Sequence, residues 1–160
     1  MVRDYMQTPV VTITPDKTIA DAIRLMNQHS TNGLIVVGSG DKSADVLGVI
    51  SSLDILERLV PDYLEEDKHL ASFEPREIFV KRLKAIANDK VSVCMTSKKL
   101  YTVTPEDSLI EAAAILTEHR IHRLPVVDEK GKLVGYISRS DVKRSFSKIL
   151  DSLEQSSDNK

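Results

Sequence analysis

An internal repeat constrains this chain more than any other feature. Residues 6–59 and 95–146 carry the same pattern twice within 160 residues. Each copy closes with the pattern Gly-apolar-Ile-Ser-x-x-Asp, first at residues 48–54 and again at residues 135–141. A repeated unit of this length indicates a supersecondary structure that buries its apolar face against a neighbour. We therefore expect the two copies to fold as a pair.

The remainder of each copy keeps the same register. Met6 corresponds to Met95, and Leu-Ile-Val-Val at residues 34–37 corresponds to Leu-Pro-Val-Val at residues 124–127. The spacing differs by one residue before the first proline and by three residues in the later hairpin. Such differences belong in loops, which tolerate insertions.

The order of elements predicted for each copy is β-α-β-β-α, an α/β (α+β) fold. A short strand at residues 11–13 or 101–103 stops at a proline, and a buried strand, a polar hairpin and a second strand follow the first helix. The apolar positions of the two first helices recur at helical spacing: Ile19, Ala22, Ile23 and Met26, then Leu109, Ala112, Ala113 and Leu116.

Capping residues mark where the two first helices begin. Thr18 precedes Asp21 by three residues, and Ser108 precedes Glu111 by the same interval. The second pair has the residue types of a full capping box, so we expect reciprocal hydrogen bonds there.

The Ser-x-x-Asp pattern permits two interpretations. Ser51 and Ser138 are good N-caps, and Asp54 and Asp141 lie on the first helical turn, where the helix dipole favours a carboxylate. In the first interpretation these residues only cap the helix. In the second, the carboxylate also accepts hydrogen bonds from two neighbouring hydroxyls, as on a ribose.

Composition excludes several classes of function. The formal charge of -2 provides no field to hold nucleic acid or an anionic membrane surface. Cys94 is the single cysteine, so an internal disulfide or a cysteine-based zinc cluster is excluded. No signal peptide or membrane-spanning run is recognisable, and we expect a soluble, cytoplasmic protein with no nucleic-acid or membrane partner.

Residues 60–94 separate the copies, and we predict domains at 1–59 (repeat 1), 60–94 (helical linker) and 95–155 (repeat 2), with a polar tail at 156–160. Pro61 and Pro75 are candidate helix starts in the linker. The apolar face of its predicted helix consists of Ile78, Phe79, Leu83, Ile86 and Ala87. This face either covers the core of the module or contacts a partner protein.

The last helix carries an apolar stripe longer than the repeat requires: Val142, Phe146, Ile149, Leu150 and Leu153. Because the first copy ends near Leu59, the extension predicts a further contact, either with the linker helix or with a second copy of the chain. The residues from Gln155 onward are polar and are expected to fray.

No catalytic constellation is recognisable: the sequence lacks a Ser-His-Asp order, a P-loop and a dinucleotide fingerprint. We therefore expect no enzymatic activity. The dense basic cluster at residues 119–123 has two histidines but no cysteine nearby, which argues against a metal site. Its cations either favour a helix C-terminus or form a phosphate clamp through arginine.

The element order, the Pro-Val-Val-Asp hairpin entry and the doubled Gly-x-Ile-Ser-x-x-Asp resemble the CBS domain family, in which a tandem pair forms a Bateman module. The resemblance implies two pseudo-symmetric repeats packed sheet to sheet, with an adenosine-containing ligand in clefts between them. AMP, ADP, ATP, S-adenosylmethionine and a dinucleotide all remain open as the ligand. No obligatory cofactor is implied.

The resemblance also implies roles for individual residues. Ribose hydroxyls would be held by Asp54 and Asp141, with Ser51 and Ser138 beside them. Adenine would be framed by Ile13, Thr14, Val103 and Thr104, with apolar walls from Ile35, Pro125 and Val126. Phosphate would face His122, Arg123 and Arg139. Repeat 1 instead has Asn32, Gly33 and Ser52 at the three phosphate positions, so the two clefts are not expected to be equivalent.

The expected function is a regulatory, signal-transducing module that responds to its ligand by a conformational change. Since no catalytic or transport domain is attached, a regulated partner protein or a homodimer partner would receive the signal. The alternative is a structural or oligomerisation module with degenerate clefts. The doubled Ser-x-x-Asp argues against that alternative.

Overall fold

A computed structural model describes residues 1–42, 44–62, 69, 72–73 and 75–157. The chain divides into two compact units. Unit 1 consists of Met1–Val10 and Tyr101–Lys160, and unit 2 consists of Val11–Leu100. The division does not follow the order of the repeats, because each unit combines most of one repeat with the opening segment of the other. Residues 1–10 thus fold with repeat 2, and residues 91–100 fold with repeat 1.

Unit 2 contains a three-stranded sheet in the order β1-β2-β3, in which β1 is parallel and β3 antiparallel to β2. Its elements are β1 (Thr12–Ile13), α1 (Ile19–Gln28), β2 (Gly33–Val37), β3 (Val46–Ser51), α2 (Ser52–Leu59), α3 (Arg76–Ala87) and α4 (Val91–Cys94). The predicted β-α-β-β-α order is therefore present, followed by the linker helix α3.

Unit 1 repeats this order around an antiparallel pair of strands. Its elements are α5 (Leu109–Glu118), β4 (Arg123–Val127), β5 (Leu133–Ser138) and α6 (Arg139–Ser157). The strand predicted at residues 101–103 is reduced to a single parallel bridge between Val103 and Val126. A 3-10 turn at Val2–Asp4 begins the chain.

Each sheet turns alternate residues toward a core of its own unit. In unit 2, Leu34, Val36 and Ile50 pack with α1 and α2. Leu124, Val126 and Ile137 are their counterparts in unit 1. The positions predicted to be apolar helix faces, including Ala22, Met26, Ala112 and Leu116, are buried in these cores. Burying a side chain of the size of leucine or isoleucine contributes about 1.5–3 kcal/mol to folding.

In each unit, the segment contributed by the other repeat forms backbone hydrogen bonds with the second strand of the hairpin. Gln7 exchanges two backbone hydrogen bonds with Tyr136, at 2.8 and 3.2 Å. Thr96 exchanges two with Val49, at 2.8 and 3.1 Å. Gln7 and Thr96 are therefore structural counterparts.

This pairing explains the glycine of the repeated motif. A Cβ atom at Gly48 would lie 2.7 Å from the carbonyl oxygen of Thr96, and one at Gly135 would lie 3.1 Å from that of Gln7. Only glycine lets the two backbones approach so closely without displacement.

The caps of α1 and α5 differ from the prediction. Thr18 and Asp21 form the reciprocal capping box, since Thr18 accepts from the Asp21 N–H and Asp21 accepts from the Thr18 N–H. For Ser108 the structure records only the bond accepted from the Glu111 N–H, at 3.1 Å. The full box is thus on the first helix and not, as predicted, on the second; the shorter aspartate reaches back to its cap.

The linker helix α3 begins after Pro75, as predicted, and covers part of the core of unit 2. Ile86 is buried in that core and Leu83 packs against it, whereas Ile78 and Phe79 are exposed. Only the C-terminal half of the predicted apolar face therefore acts as a lid. The helix start predicted at Pro61 lies next to residues 63–68, which are outside the described residues.

The last helix, α6, continues through Ser157, so residues 155–157 are helical and not frayed as predicted. Residues 158–160 and the side chain of Leu153 are outside the described residues. Val142 is buried, while Phe146, Ile149 and Leu150 are exposed along the predicted stripe. Among the described residues, no helix combines the length and apolar character that crossing a membrane requires.

Candidate functional site

The Ser-x-x-Asp pattern forms the same cap in both units. The backbone N–H and the hydroxyl of Ser51 donate to Oδ2 of Asp54, at 2.6 and 2.5 Å. Those of Ser138 donate to Oδ2 of Asp141, at 2.9 and 2.6 Å. The capping interpretation is therefore confirmed, and it uses one carboxylate oxygen. The surroundings of the other oxygen, Oδ1, decide whether each carboxylate can also bind a ligand.

In unit 2, Oδ1 of Asp54 has one long hydrogen bond, from the Thr96 hydroxyl at 3.3 Å. The Asp54 carboxylate is half-buried. The Cys94 thiol lies beside it and donates to the Asp54 carbonyl oxygen at 3.5 Å. Burial, followed by the charge of Asp54, raises the pKa of the Cys94 thiol, so the thiol stays protonated at neutral pH.

In unit 1, Oδ1 of Asp141 accepts one hydrogen bond, from the side-chain amide of Gln7 at 2.9 Å, and forms an ion pair with the guanidinium of Arg144 at 3.1 Å. Asp141 is only 2% exposed, so this carboxylate is enclosed by its partners. The two matched carboxylates therefore differ in access, in the length of the hydrogen bond to Oδ1 and in ion pairing.

The sheet face that points away from the helical core also differs between the units. In unit 1, Arg123 lies opposite Ser138, and Pro125 lies opposite Tyr136. The Arg123 guanidinium sits 4.1 Å from the centre of the Tyr136 ring, a cation–π contact. Burial lowers the pKa of Arg123, partly offset by Tyr136 and Asp141, and the group remains charged at neutral pH.

The matching face of unit 2 carries no charged side chain at these four positions. Gly33 lies opposite Ser51, and Ile35 lies opposite Val49. The strand positions of unit 1 thus carry a guanidinium, whereas the matching positions of unit 2 carry glycine, serine and aliphatic side chains.

The basic residues predicted to face phosphate occupy different places. Arg139 donates to the carbonyl oxygens of Ile121, at 2.9 Å, and Leu116, at 3.4 Å, and so satisfies the C-terminal end of α5. His122 is exposed, and its carbonyl oxygen accepts from the Arg139 N–H. Of the three residues, Arg123 alone belongs to the sheet face beside Asp141. Phosphate contacts by His122 and Arg139 stay predictions.

The residues predicted to frame adenine lie at the ends of the first strands. Ile13 and Val103, together with the predicted wall residue Val126, are buried within the unit cores, which leaves their backbone rather than their side chains for a ligand. Thr14 hydrogen-bonds the Asp16 carboxylate, and that bond is the largest cause of the lowered pKa of Asp16. The Thr104 N–H donates to Asp107 at 2.7 Å. The apolar wall residues Ile35 and Pro125 are buried on the opposite sheet face.

Three residues of these sites were missed by the sequence prediction: Gln7, Thr96 and Tyr136. Gln7 and Thr96 lie far from the aspartates in sequence. They come close only because each unit contains the opening segment of the other repeat. The glycine of the motif could have indicated these neighbours, because a glycine in a strand often marks the close approach of another backbone. Tyr136 occupies the position of Val49, so a comparison of the repeats along this strand could have found it.

The described residues hold no group of three His, Cys, Asp or Glu side chains that could bind a metal ion. His119, which was considered with His122 for such a role, instead stacks on Tyr101 with the ring centroids 3.7 Å apart.

Comparison with known proteins gives consistent matches. The sequence profile of the CBS domain family matches residues 2–61 and 91–148. An uncharacterised protein of Methanocaldococcus jannaschii is 29% identical over 155 residues, which covers 89% of this chain and 88% of the relative. Inosine-5'-monophosphate dehydrogenase of Bacillus subtilis is 28% identical over 132 residues, but the chain spans only 22% of that enzyme.

Among solved structures, the CBS-pair protein CBSX2 of Arabidopsis thaliana superposes with a TM-score of 0.75 at 26% identity, covering 94% of this chain and 96% of CBSX2. A structure of CBSX2 in complex with AMP superposes with a TM-score of 0.68 at 29% identity, covering 92% and 96%.

Proposed function

We propose that this chain, which belongs to the CBS domain family, is a regulatory module that binds an adenosine-containing ligand at Asp54 and Asp141. The observation that carries the proposal is the doubled capping carboxylate, whose Oδ2 serves the fold while Oδ1 points to a second donor. The likeness to CBSX2, whose structure includes AMP, supports an adenosine ligand.

The proposed contact is a pair of hydrogen bonds from the ribose hydroxyls to the carboxylate. Hydrogen bonds to a charged acceptor are worth about 1.5–3 kcal/mol. The helix N-terminus behind each aspartate favours the charged state that accepts them. This chemistry requires an unprotonated carboxylate and a vicinal diol, which AMP, ADP, ATP and S-adenosylmethionine all provide.

The two sites are proposed to prefer different ligands. Arg123 gives the Asp141 site a cation that can pair with phosphate. The corresponding residue at the Asp54 site is Gly33, so a less charged adenosyl ligand is favoured there. His122 and Arg139 are retained as further phosphate contacts in this proposal.

The proposed output is a conformational change transmitted to another protein or to a second copy of the chain, without a catalytic step. A ligand shifts such an equilibrium only by its difference in affinity for the two states. A homodimer is proposed because α6 exposes a stripe of apolar side chains: Phe146 is 52% and Leu150 58% exposed. Light scattering at high concentration, with and without nucleotide, tests the dimer, and a monomer in both conditions would refute it.

A thermal-shift and calorimetric screen with AMP, ADP, ATP, adenosine and S-adenosylmethionine tests ligand binding. The wild-type protein is compared with Asp54→Ala, Asp141→Ala and the double variant. We expect binding to weaken by about 1–3 kcal/mol when the aspartate of the occupied site is replaced, while the fold persists.

The alternative, a structural module with degenerate sites, predicts no response to any of these ligands. Unchanged affinity in the double variant, with its fold verified by circular dichroism, would exclude both aspartates from binding.

A further inference from the structure

Within the proposed function, we infer that Gln7 is a specificity-determining residue of the Asp141 site, because its side-chain amide competes with ligand hydroxyls for the carboxylate. Gln7 lies in the opening segment of repeat 1, 134 residues away from Asp141 in the chain.

The acceptor positions of Asp141 are largely occupied by groups of its own unit. A carboxylate offers about four acceptor positions. In Asp141, Oδ2 accepts from the N–H and the hydroxyl of Ser138, Oδ1 accepts from Gln7, and Arg144 forms an ion pair with Oδ1. Because a ribose diol brings two donors, it must displace at least one existing donor when it binds Asp141.

Gln7 is the donor that matters most for this competition. Arg144 is 58% exposed and pairs with Asp141 from the next turn of the same helix, an arrangement that contributes little in water. Gln7 is half-buried, and its amide donates to a carboxylate that is only 2% exposed. Its orientation is fixed by chemistry, because only the NH₂ end of the amide can face a carboxylate.

Displacement of the Gln7 side chain does not require unfolding. The backbone of Gln7 is fixed by its two hydrogen bonds to Tyr136, at 2.8 and 3.2 Å. The side chain can rotate away while these bonds remain. The competition is therefore confined to one side chain and can be altered without loss of the fold.

The Asp54 site provides a natural control. Thr96 is the counterpart of Gln7, and its hydroxyl bonds Oδ1 at 3.3 Å, which is longer than the 2.9 Å bond of Gln7. The counterpart of Arg144 is Glu57, which cannot donate when ionised. Oδ1 of Asp54 thus has a longer hydrogen bond than Oδ1 of Asp141 and lacks the ion pair that Arg144 provides. A neutral nucleoside is expected to prefer Asp54, while a phosphorylated one can offset the displacement of Gln7 through Arg123.

Exchanging the two residues tests this competition. Gln7→Thr and Gln7→Met are made in an Asp54→Ala background, which isolates the Asp141 site, and Thr96→Gln is made in an Asp141→Ala background. Adenosine and AMP are titrated calorimetrically into each. Methionine matches glutamine in length but lacks the amide, so it separates competition from steric blockage.

We expect both Gln7 variants to bind adenosine roughly tenfold more tightly, the scale of one hydrogen bond to a charged acceptor, and Thr96→Gln to weaken the Asp54 site. In the NMR spectrum, AMP should shift the Gln7 side-chain NH₂ resonances of the wild-type protein. Measurable binding that Gln7→Met leaves unchanged would overturn the role of Gln7 while the proposed function stands. If no variant and no wild-type protein binds adenosine or AMP, the proposed function falls and the role of Gln7 falls with it.

Discussion

Units 1 and 2 build the same cap from the same motif, yet the second oxygen of each aspartate has different neighbours. Asp54 has one long hydrogen bond there, and Asp141 has an amide and a guanidinium. The residues common to both units are those that folding requires: the glycine beside the entering segment, the serine cap and the apolar core. The residues that differ, such as Arg123 and Gly33, lie on the opposite sheet face. The repeat therefore keeps its architecture, while the charge and hydrogen bonding beside the aspartates differ.

The largest effect is expected from reversing the charge that distinguishes the units. Arg123→Glu should weaken AMP binding by about 1.5–3 kcal/mol or more, because a charge-assisted contact is lost and a repulsion is introduced. Adenosine, which lacks phosphate, should be affected little. Calorimetric titration of both ligands measures the difference, and the AMP preference should decrease with added salt.

Gly33→Ala in unit 2 serves as a comparison, since it changes the matching position without adding charge. Equal AMP affinities before and after the reversal would mean that Arg123 is only a packed cation on Tyr136.

The motif glycines provide the next comparison. Alanine at Gly48 would place Cβ 2.7 Å from a backbone oxygen, whereas at Gly135 the distance is 3.1 Å. Overpacking of this kind costs about 1–3 kcal/mol, and we expect Gly48→Ala at the upper end and Gly135→Ala at the lower. Urea denaturation gives both free energies of unfolding. The opposite ranking would show that the backbone at Thr96 shifts to accommodate the added Cβ atom more easily than the backbone at Gln7.

The helix caps should give the smallest difference. Thr18→Ala removes a reciprocal capping box and should destabilise the protein by about 1 kcal/mol, and Ser108→Ala should cost less because it removes a single bond. Hydrogen bonds from Thr18 lower the pKa of Asp21. Its stabilising contribution is therefore present above the ordinary carboxyl pKa and is lost as the pH falls through the lowered value.

The stability difference between wild type and Thr18→Ala, measured by thermal unfolding, should accordingly shrink in acid. A difference that stays constant down to low pH would rule out the Asp21 carboxylate as half of the cap.

The repeat and its helical periodicity were sufficient to predict the secondary structure. The β-α-β-β-α order and buried positions such as Ala22 and Leu116 follow from local patterns, and both are confirmed. The exchange of segments was not predicted, because it depends on pairing between residues far apart, such as Gln7 and Tyr136. The linker helix was predicted, but the exposure of Phe79 was not. Helical periodicity identifies the apolar face of a helix, but it does not show which part of that face packs against the core.

For the candidate sites, the motif predicted the aspartates and their serine caps. It could not predict which group donates a hydrogen bond to Oδ1, because that donor lies in the segment contributed by the other repeat. The motif also could not predict that the Arg139 guanidinium donates to the carbonyls of Ile121 and Leu116; its contact with phosphate, which the family resemblance implies, stays a prediction.

One titration tests the asymmetry of the two sites most directly. AMP and adenosine are each titrated into Asp54→Ala and Asp141→Ala, so that each protein retains one site. We expect AMP to lose more affinity in Asp141→Ala, where the site beside Arg123 is damaged, and adenosine to lose more in Asp54→Ala. The same loss pattern for both ligands would contradict the proposal that the two units differ in ligand preference.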